Sequence, residues 1–92
     1  MSDTSEILRD LFNCTVVIDV TSQYVFVGTL VGEDLHYLAL EDADVHDLRD
    51  ATTPRELYVL ETKKLGVRTN RKRVLVRRDE VVSISALDDV IE

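Results

Sequence analysis

Eight basic residues crowd one stretch of the chain: Lys63, Lys64, Arg68, Arg71, Lys72, Arg73, Arg77 and Arg78, with no Asp or Glu among them. The other three basic residues share the remainder with all 18 acids. Such a segment attracts a polyanion, because local potential governs encounter more than net charge does. It can equally face an acidic neighbouring subunit. A second cluster is Asp42-Ala43-Asp44-Val45-His46-Asp47. In an extended chain Asp42, Asp44 and His46 point to one side, and carboxylate oxygen with imidazole can hold a divalent cation. A solvated acidic loop explains the same residues, and no resident metal is expected. There is no glycine-rich phosphate loop, no cysteine pair and no nucleophile–base pair, so an enzyme is not expected and no cofactor is implied.

These groups need a scaffold, and 92 residues allow one small domain, 1–92. Apolar residues make up 45% of the chain, enough for a packed core. With no Trp, two Phe and three Tyr, that core is mostly Val, Leu and Ile, which favours strands. A domain this small gains from oligomerisation. Cys14 is the only cysteine, so a reducing compartment is expected and the thiol reads as a small buried hydrophobe. The acidic start, Met1-Ser2-Asp3-Thr4-Ser5-Glu6, lacks the basic and apolar regions of a secretory signal. No apolar run approaches the about 20 residues of a membrane span. The expected location is the cytoplasm, with no membrane partner.

Residues 5–12 suit a short helix with Ile7, Leu8 and Leu11 on one stripe, a Ser or Thr cap ahead of it and Asn13 as its stop. Thr15 to Thr21 alternates, with Val16, Ile18 and Val20 on one face and Val17 and Asp19 on the other. Tyr24 to Val31 is apolar on both faces and predicts a central strand covered twice. Gly28 in its middle marks a bend or a close backbone approach. Gly32-Glu33-Asp34 turns the chain, and His36 to Leu40 runs back as a third strand. Thr53-Pro54-Arg55-Glu56 reads as a capping box for a helix over 54–65, with Leu57 and Leu60, or Leu57, Tyr58 and Leu65, along one face. A strand through 57–60 is the rival. Gly66 sits at the expected C-cap. Arg73 to Arg77 and Val81 to Ala86 are the fourth and fifth strands, and residues 88–92 form an acidic tail.

Two distant stretches carry a resemblance. In Phe26 to Leu40 the residues Gly28, Leu30, Asp34, Leu38 and Leu40 fit the first motif of the Sm-like (LSm) family. In Val74 to Ile84 the residues Val76, Arg77, Val81, Val82 and Ile84 fit the second. The chain resembles that family from about Leu8 to Leu87, minus an insert over 41–72. The fold this implies is mostly β: an N-terminal helix, then a five-stranded, strongly bent SH3-type barrel, with a helical insert between strands 3 and 4. The resemblance also implies a homo-oligomeric ring binding single-stranded RNA, in which strand five of one subunit pairs with strand four of the next. His36 or Tyr37 would stack one face of a base, Arg77 would cover the other, and Asp34 would orient neighbouring groups. Arg78, Arg71, Lys72 and Arg73 would add charge toward RNA.

The residues also have plain structural readings. His36 can be a barrel-edge residue bonded to backbone, Tyr37 a half-buried strand aromatic, and Asp34 a turn carboxylate accepting N–H bonds. Arg77 and Arg78 can be interface partners of Asp88 or Glu92. The chain departs from the family pattern at the turn after Asp34, which is one residue short, and at Tyr37 or Leu38, where the family has a base-reading Asn. Arg78 stands in place of a motif glycine, and the insert is long. These departures imply an altered base pocket. The alternative function is a protein-interaction or scaffold module on the same barrel, presenting its helix and acidic segment to a protein partner.

Overall fold

The computed structural model describes residues 6–50 and 52–92. In chain order they form α1 (Glu6–Arg9), β1 (Thr15–Val20), β2 (Tyr24–Glu33), β3 (Tyr37–Asp47), α2 (Arg55–Leu65), β4 (Arg71–Arg77) and β5 (Val81–Ala86). Single 3₁₀ turns lie at Arg78–Glu80 and Leu87–Asp89. The strands make one open antiparallel sheet in the order β4-β3-β2-β1-β5. The expected mostly β architecture, five strands after a short helix, is what forms. The strands β4 and β5 are the two margins of the sheet.

Alternation in β1 distributes its side chains between two cores. Val16, Ile18 and Val20 join Leu30, Leu38, Leu40, Ala43 and Val76 on the inner face. Val17 joins Val25, Val27, Tyr58, Val59 and Leu87 on the outer face, under α2. The strand β2 lies in the middle of the sheet and is covered on both faces, as its composition requires. The largest fully buried side chains are Ile18, Leu30, Leu40, Val16, Val25 and Val27. Each contributes about 1.5–3 kcal/mol of transfer free energy.

Two register shifts bend the β2–β3 pair, one between Val27 and Thr29 and one between Leu30 and Gly32. At the first, Asp42 adopts φ 49° and the backbones close up. A Cβ on Gly28 would lie 2.8 Å from Ala43 Cβ and 3.2 Å from the Glu41 carbonyl oxygen. No side chain fits there, which is why glycine stands at the expected bend.

Several expectations are corrected. The α-helical part of α1 is only Glu6–Arg9, continued to Phe12 by tighter turns and ended by Asn13 at φ 67°. Its cap falls on residues outside those described. Leu8 is buried, but Ile7 is 79% exposed and leaves the expected stripe. The strand β3 continues to Asp47 instead of stopping at Leu40, so the chain between β3 and β4 spans only residues 48–70. The acids of 41–47 suggested solvent. The bulge at Asp42 instead turns Asp44 toward α2, where it finds polar partners.

The helix begins at Arg55, and the capping box does not form. Pro54 is its N-cap with ψ 155° and no side-chain cap bond. Its buried residues are Tyr58, Val59 and Thr62, while Leu57 and Leu65 face outward. Gly66 closes it at φ 94°, donating its N–H to the Thr62 carbonyl at 2.8 Å. The acidic tail is tied down. Leu87 is buried, Lys63 Nζ donates to the carbonyls of Asp88 and Val90, and Lys64 pairs with Glu92 at 3.4 Å.

Candidate nucleic-acid interface

The turn between β2 and β3 is built by one carboxylate. Asp34 Oδ1 accepts the backbone N–H groups of His36 and Tyr37, each at 2.8 Å, and Asp34 N–H donates to the Tyr37 carbonyl at 2.9 Å. These bonds favour the ionised carboxylate and hold Asp34 below its usual pKa, first through the His36 amide and next through that of Tyr37. A turn wrapped around its own side chain leaves the Leu35, His36 and Tyr37 side chains outside it.

Antiparallel register brings the second segment alongside, with Tyr37 opposite Arg77 across β3 and β4. The result is a shallow cavity of about 270 Å³ lined by Leu35, His36, Tyr37, Arg77 and Asp79. Arg77 Nη2 pairs with Asp79 Oδ2 at 3.0 Å, with both side chains more than 60% exposed. Such a pair is worth little in water, so the guanidinium remains available to a stronger anion or a planar ring.

Arg78 does a different job. Its backbone N–H donates to the His36 carbonyl at 2.8 Å. Its Nη1 donates to the Asp34 carbonyl at 2.7 Å and to Glu33 Oε2 at 3.1 Å. The Glu33 side chain is 4% exposed. Arg78 therefore clamps the two turns together from behind, and it does not line the cavity. Glu33 is the residue that sequence reasoning missed. Nothing in its spacing signals burial, which arises only when β4 returns beside the turn. Asp79 lies between the two strands expected at Arg73–Arg77 and Val81–Ala86, and its place two residues after Arg77 is the signal for the ion pair.

Thus His36, Tyr37 and Arg77 come together, with Asp34 and Arg78 beneath them. Arg71, Lys72 and Arg73 do not join them. They lie at the other end of β4, four to six residues from Arg77, which is roughly 13–20 Å along a strand. Neither Asp88 nor Glu92 reaches Arg77 or Arg78 within the chain: those two arginines pair with Asp79 and Glu33.

The second constellation of the sequence has another use. Tyr58 donates its hydroxyl to Asp44 Oδ2 at 2.5 Å, and Asn70 Nδ2 donates to Asp44 Oδ1 at 3.0 Å. The His46 and Tyr58 rings stack at 3.9 Å with planes 7° apart. Burial, then the Asp44 bond, pushes the Tyr58 hydroxyl above its usual pKa. Asp44 and His46 seat α2, and among the described residues no group of three His, Cys, Asp or Glu could hold a metal. A larger cavity of about 560 Å³ opens beside this network, but each of its rings already has a face committed to the other.

No protein-family model and no curated protein sequence matches the chain. Solved structures do. A Pyrococcus abyssii Sm protein in complex with a uridine heptamer superposes with a TM-score of 0.61 at 21% identity, over 88% of this chain and 93% of that one. The SmAP1 heptamer of P. aerophilum gives 0.61 at 23% identity, over 94% and 95%. A chain of the NatC complex bound to CoA gives 0.57 at 21% identity, over 94% and 88%. The fold is Sm-like.

Proposed function

We propose that this chain is a non-enzymatic, cytoplasmic Sm-like protein that assembles into a ring and binds single-stranded RNA at the cavity between the β2–β3 and β4–β5 turns. One observation carries the reading. An imidazole, a phenol ring and a guanidinium, drawn from segments 40 residues apart in the chain (His36 and Tyr37 against Arg77), line one open cavity. An unstacked base offers a π-face to each of those groups, and stacking contributes about 1–3 kcal/mol per base. Asp34 and Arg78 act as positioning residues. Tyr37 in place of an amide, and an arginine clamp in place of a glycine, favour a base preference different from that of a uridine pocket. Two sheet margins, β4 with Leu75 53% exposed and β5 with Val82 67% exposed, favour self-assembly. Two of the similar structures support it: one is a heptamer and one holds a uridine heptamer.

The test is fluorescence anisotropy with labelled oligouridylate and oligoadenylate at about 50 mM salt, where charge contacts are strong, alongside light scattering. The expected results are a particle several times the 10.5 kDa protomer and RNA binding lost in Arg77→Ala. A monomer at high concentration removes the ring. Absent binding to both oligomers removes RNA.

A second reading keeps the barrel as a protein-interaction module. The net charge of −7 favours it, as does the Arg77–Asp79 pair. A high 260/280 nm absorbance ratio in purified protein separates it from the first.

A further inference from the structure

Of the eleven Lys and Arg residues, Lys63 donates to backbone carbonyls and Arg9, on α1, has no ion pair among the described residues; the other nine fall into two sets. Arg49, Arg55, Lys64, Arg77 and Arg78 each pair with a carboxylate within 4 Å. Arg68, Arg71, Lys72 and Arg73 have no ion pair among the described residues, even though the chain carries 18 acids. Arg73 stands opposite Glu41 in the β3–β4 register and still makes no ion pair with it. The uncompensated charge is therefore concentrated at the far end of β4.

Alternation decides where that charge points. Val74 packs against the inner core and Val76 is buried in it, so Arg73, Leu75 and Arg77 share the opposite, outward face of β4. Arg71 continues the same alternation at the start of the strand. Leu75 is 53% exposed and Tyr37, across from Arg77, is 40% exposed. Among the described residues no helix covers this face: α2 packs over Val17, Val25 and Val27 instead. Apolar and aromatic groups thus lie between arginines along one uncovered row that begins at the cavity.

We infer that the outward face of β4 is a phosphate track, on which Arg73 and Arg71 hold the backbone of an RNA strand as it leaves the cavity at Arg77. This rests on the RNA reading above and deepens it. The cavity takes a base, and the track takes the charge of the nucleotides that follow. Arginine suits the role because its fork meets phosphate oxygens two at a time. Leu75 gives a following base an apolar surface. The row runs roughly 20 Å from Arg77 to Arg71, so a strand of several nucleotides fills it, whereas a trinucleotide seated by one base in the cavity carries too few phosphates to engage both Arg73 and Arg71.

The experiment compares two probes on three proteins. A fluorescein-labelled 15-nucleotide oligouridylate is followed by anisotropy between 50 and 200 mM salt. An unlabelled uridine trinucleotide is followed by NMR titration. The proteins are wild type, the double variant R71Q/R73Q, and Arg77→Ala. All the altered side chains are exposed, and circular dichroism checks that each variant folds. The track predicts that R71Q/R73Q binds the 15-mer more than about tenfold more weakly at 50 mM salt. The slope of log K against log salt should become shallower by about 1.4, since each phosphate contact to a single strand contributes about 0.7. Trinucleotide binding should weaken by a much smaller factor than 15-mer binding in R71Q/R73Q and be lost in Arg77→Ala.

An unaltered 15-mer affinity and slope in R71Q/R73Q overturns the track and leaves the cavity standing. Equal loss of trinucleotide and 15-mer binding in R71Q/R73Q also overturns it, because the effect then belongs to the cavity. Displacement of RNA from wild type by poly-L-glutamate at equal charge concentration assigns the face to an acidic protein partner instead. Failure of wild type to bind the 15-mer at all removes the cavity reading and the track with it.

Discussion

The chain has two histidines, and each ends up beside a tyrosine at one end of β3, with opposite outcomes. His36 and Tyr37 sit at the turn, outside a carboxylate-centred loop, and line an open cavity with Arg77. His46 stacks on Tyr58, and Asp44 accepts the Tyr58 hydroxyl beneath α2. The same residue types stay open to solvent at one end and do structural work at the other. What separates them is whether a second element closes over the rings. At the His46 end, α2 returns and buries Tyr58. At the His36 end, the returning element is the edge strand β4, which leaves the rings uncovered.

The comparison breaks first under truncation of the two tyrosines. Tyr58→Ala removes the ring that anchors α2 and strands Asp44, and should cost on the order of 3–5 kcal/mol, as large aromatic truncations do. Tyr37→Ala should change stability by about 0.5 kcal/mol or less while weakening RNA binding by about 1–3 kcal/mol. Urea denaturation and anisotropy on the same two proteins measure both. A similar stability loss in each would erase the distinction.

Gly28→Val sharpens it from the middle of the sheet. A Cβ there meets Ala43 at 2.8 Å, so overpacking should cost about 1–3 kcal/mol and loosen both ends of β3, as seen in the urea midpoint. Asp44→Ala should cost about 1–3 kcal/mol, because it leaves the buried Tyr58 hydroxyl without its acceptor. The corresponding change at the other end, Asp34→Ala, should perturb the amides of His36 and Tyr37 in NMR spectra with a smaller loss of stability.

Acidity gives the finest contrast. Asp34 is held below its usual pKa by the His36 and Tyr37 amides. Its contribution is therefore fully present above the ordinary carboxylate range and is lost as pH falls through the lowered folded value. The Asp34 carboxyl carbon shift should hold at its ionised value from pH 7 down to about 4, the ordinary carboxylate range, and change only below it. The Tyr58 hydroxyl moves the other way: burial and Asp44 raise its pKa. In an alkaline absorbance titration it should be the last of the three tyrosines to ionise.

Much of the scaffold was legible because strand alternation reports burial directly. Val16 and Ile18 on one side of β1, with Val17 on the other, specify two cores before any tertiary contact is known. Gly28 announced the close approach. The continuation of β3 was not legible, because Asp44 looks solvated until Tyr58 and Asn70, 14 and 26 residues away, arrive to bond it. The capping box failed for a local reason: Pro54 takes an extended ψ and starts the helix one residue late. Within the site, the meeting of His36 and Tyr37 with Arg77 was expected from motif resemblance. The clamp role of Arg78 was not, since it depends on the burial of Glu33.

The account is tested most directly by titrating a uridine trinucleotide into isotope-labelled protein and mapping the perturbed amides. It predicts shifts confined to Leu35, His36, Tyr37 and Arg77 with their immediate neighbours. Shifts centred instead on Asp44, His46 and Tyr58, or none at millimolar trinucleotide, a concentration that detects binding as weak as about −4 kcal/mol, would contradict it.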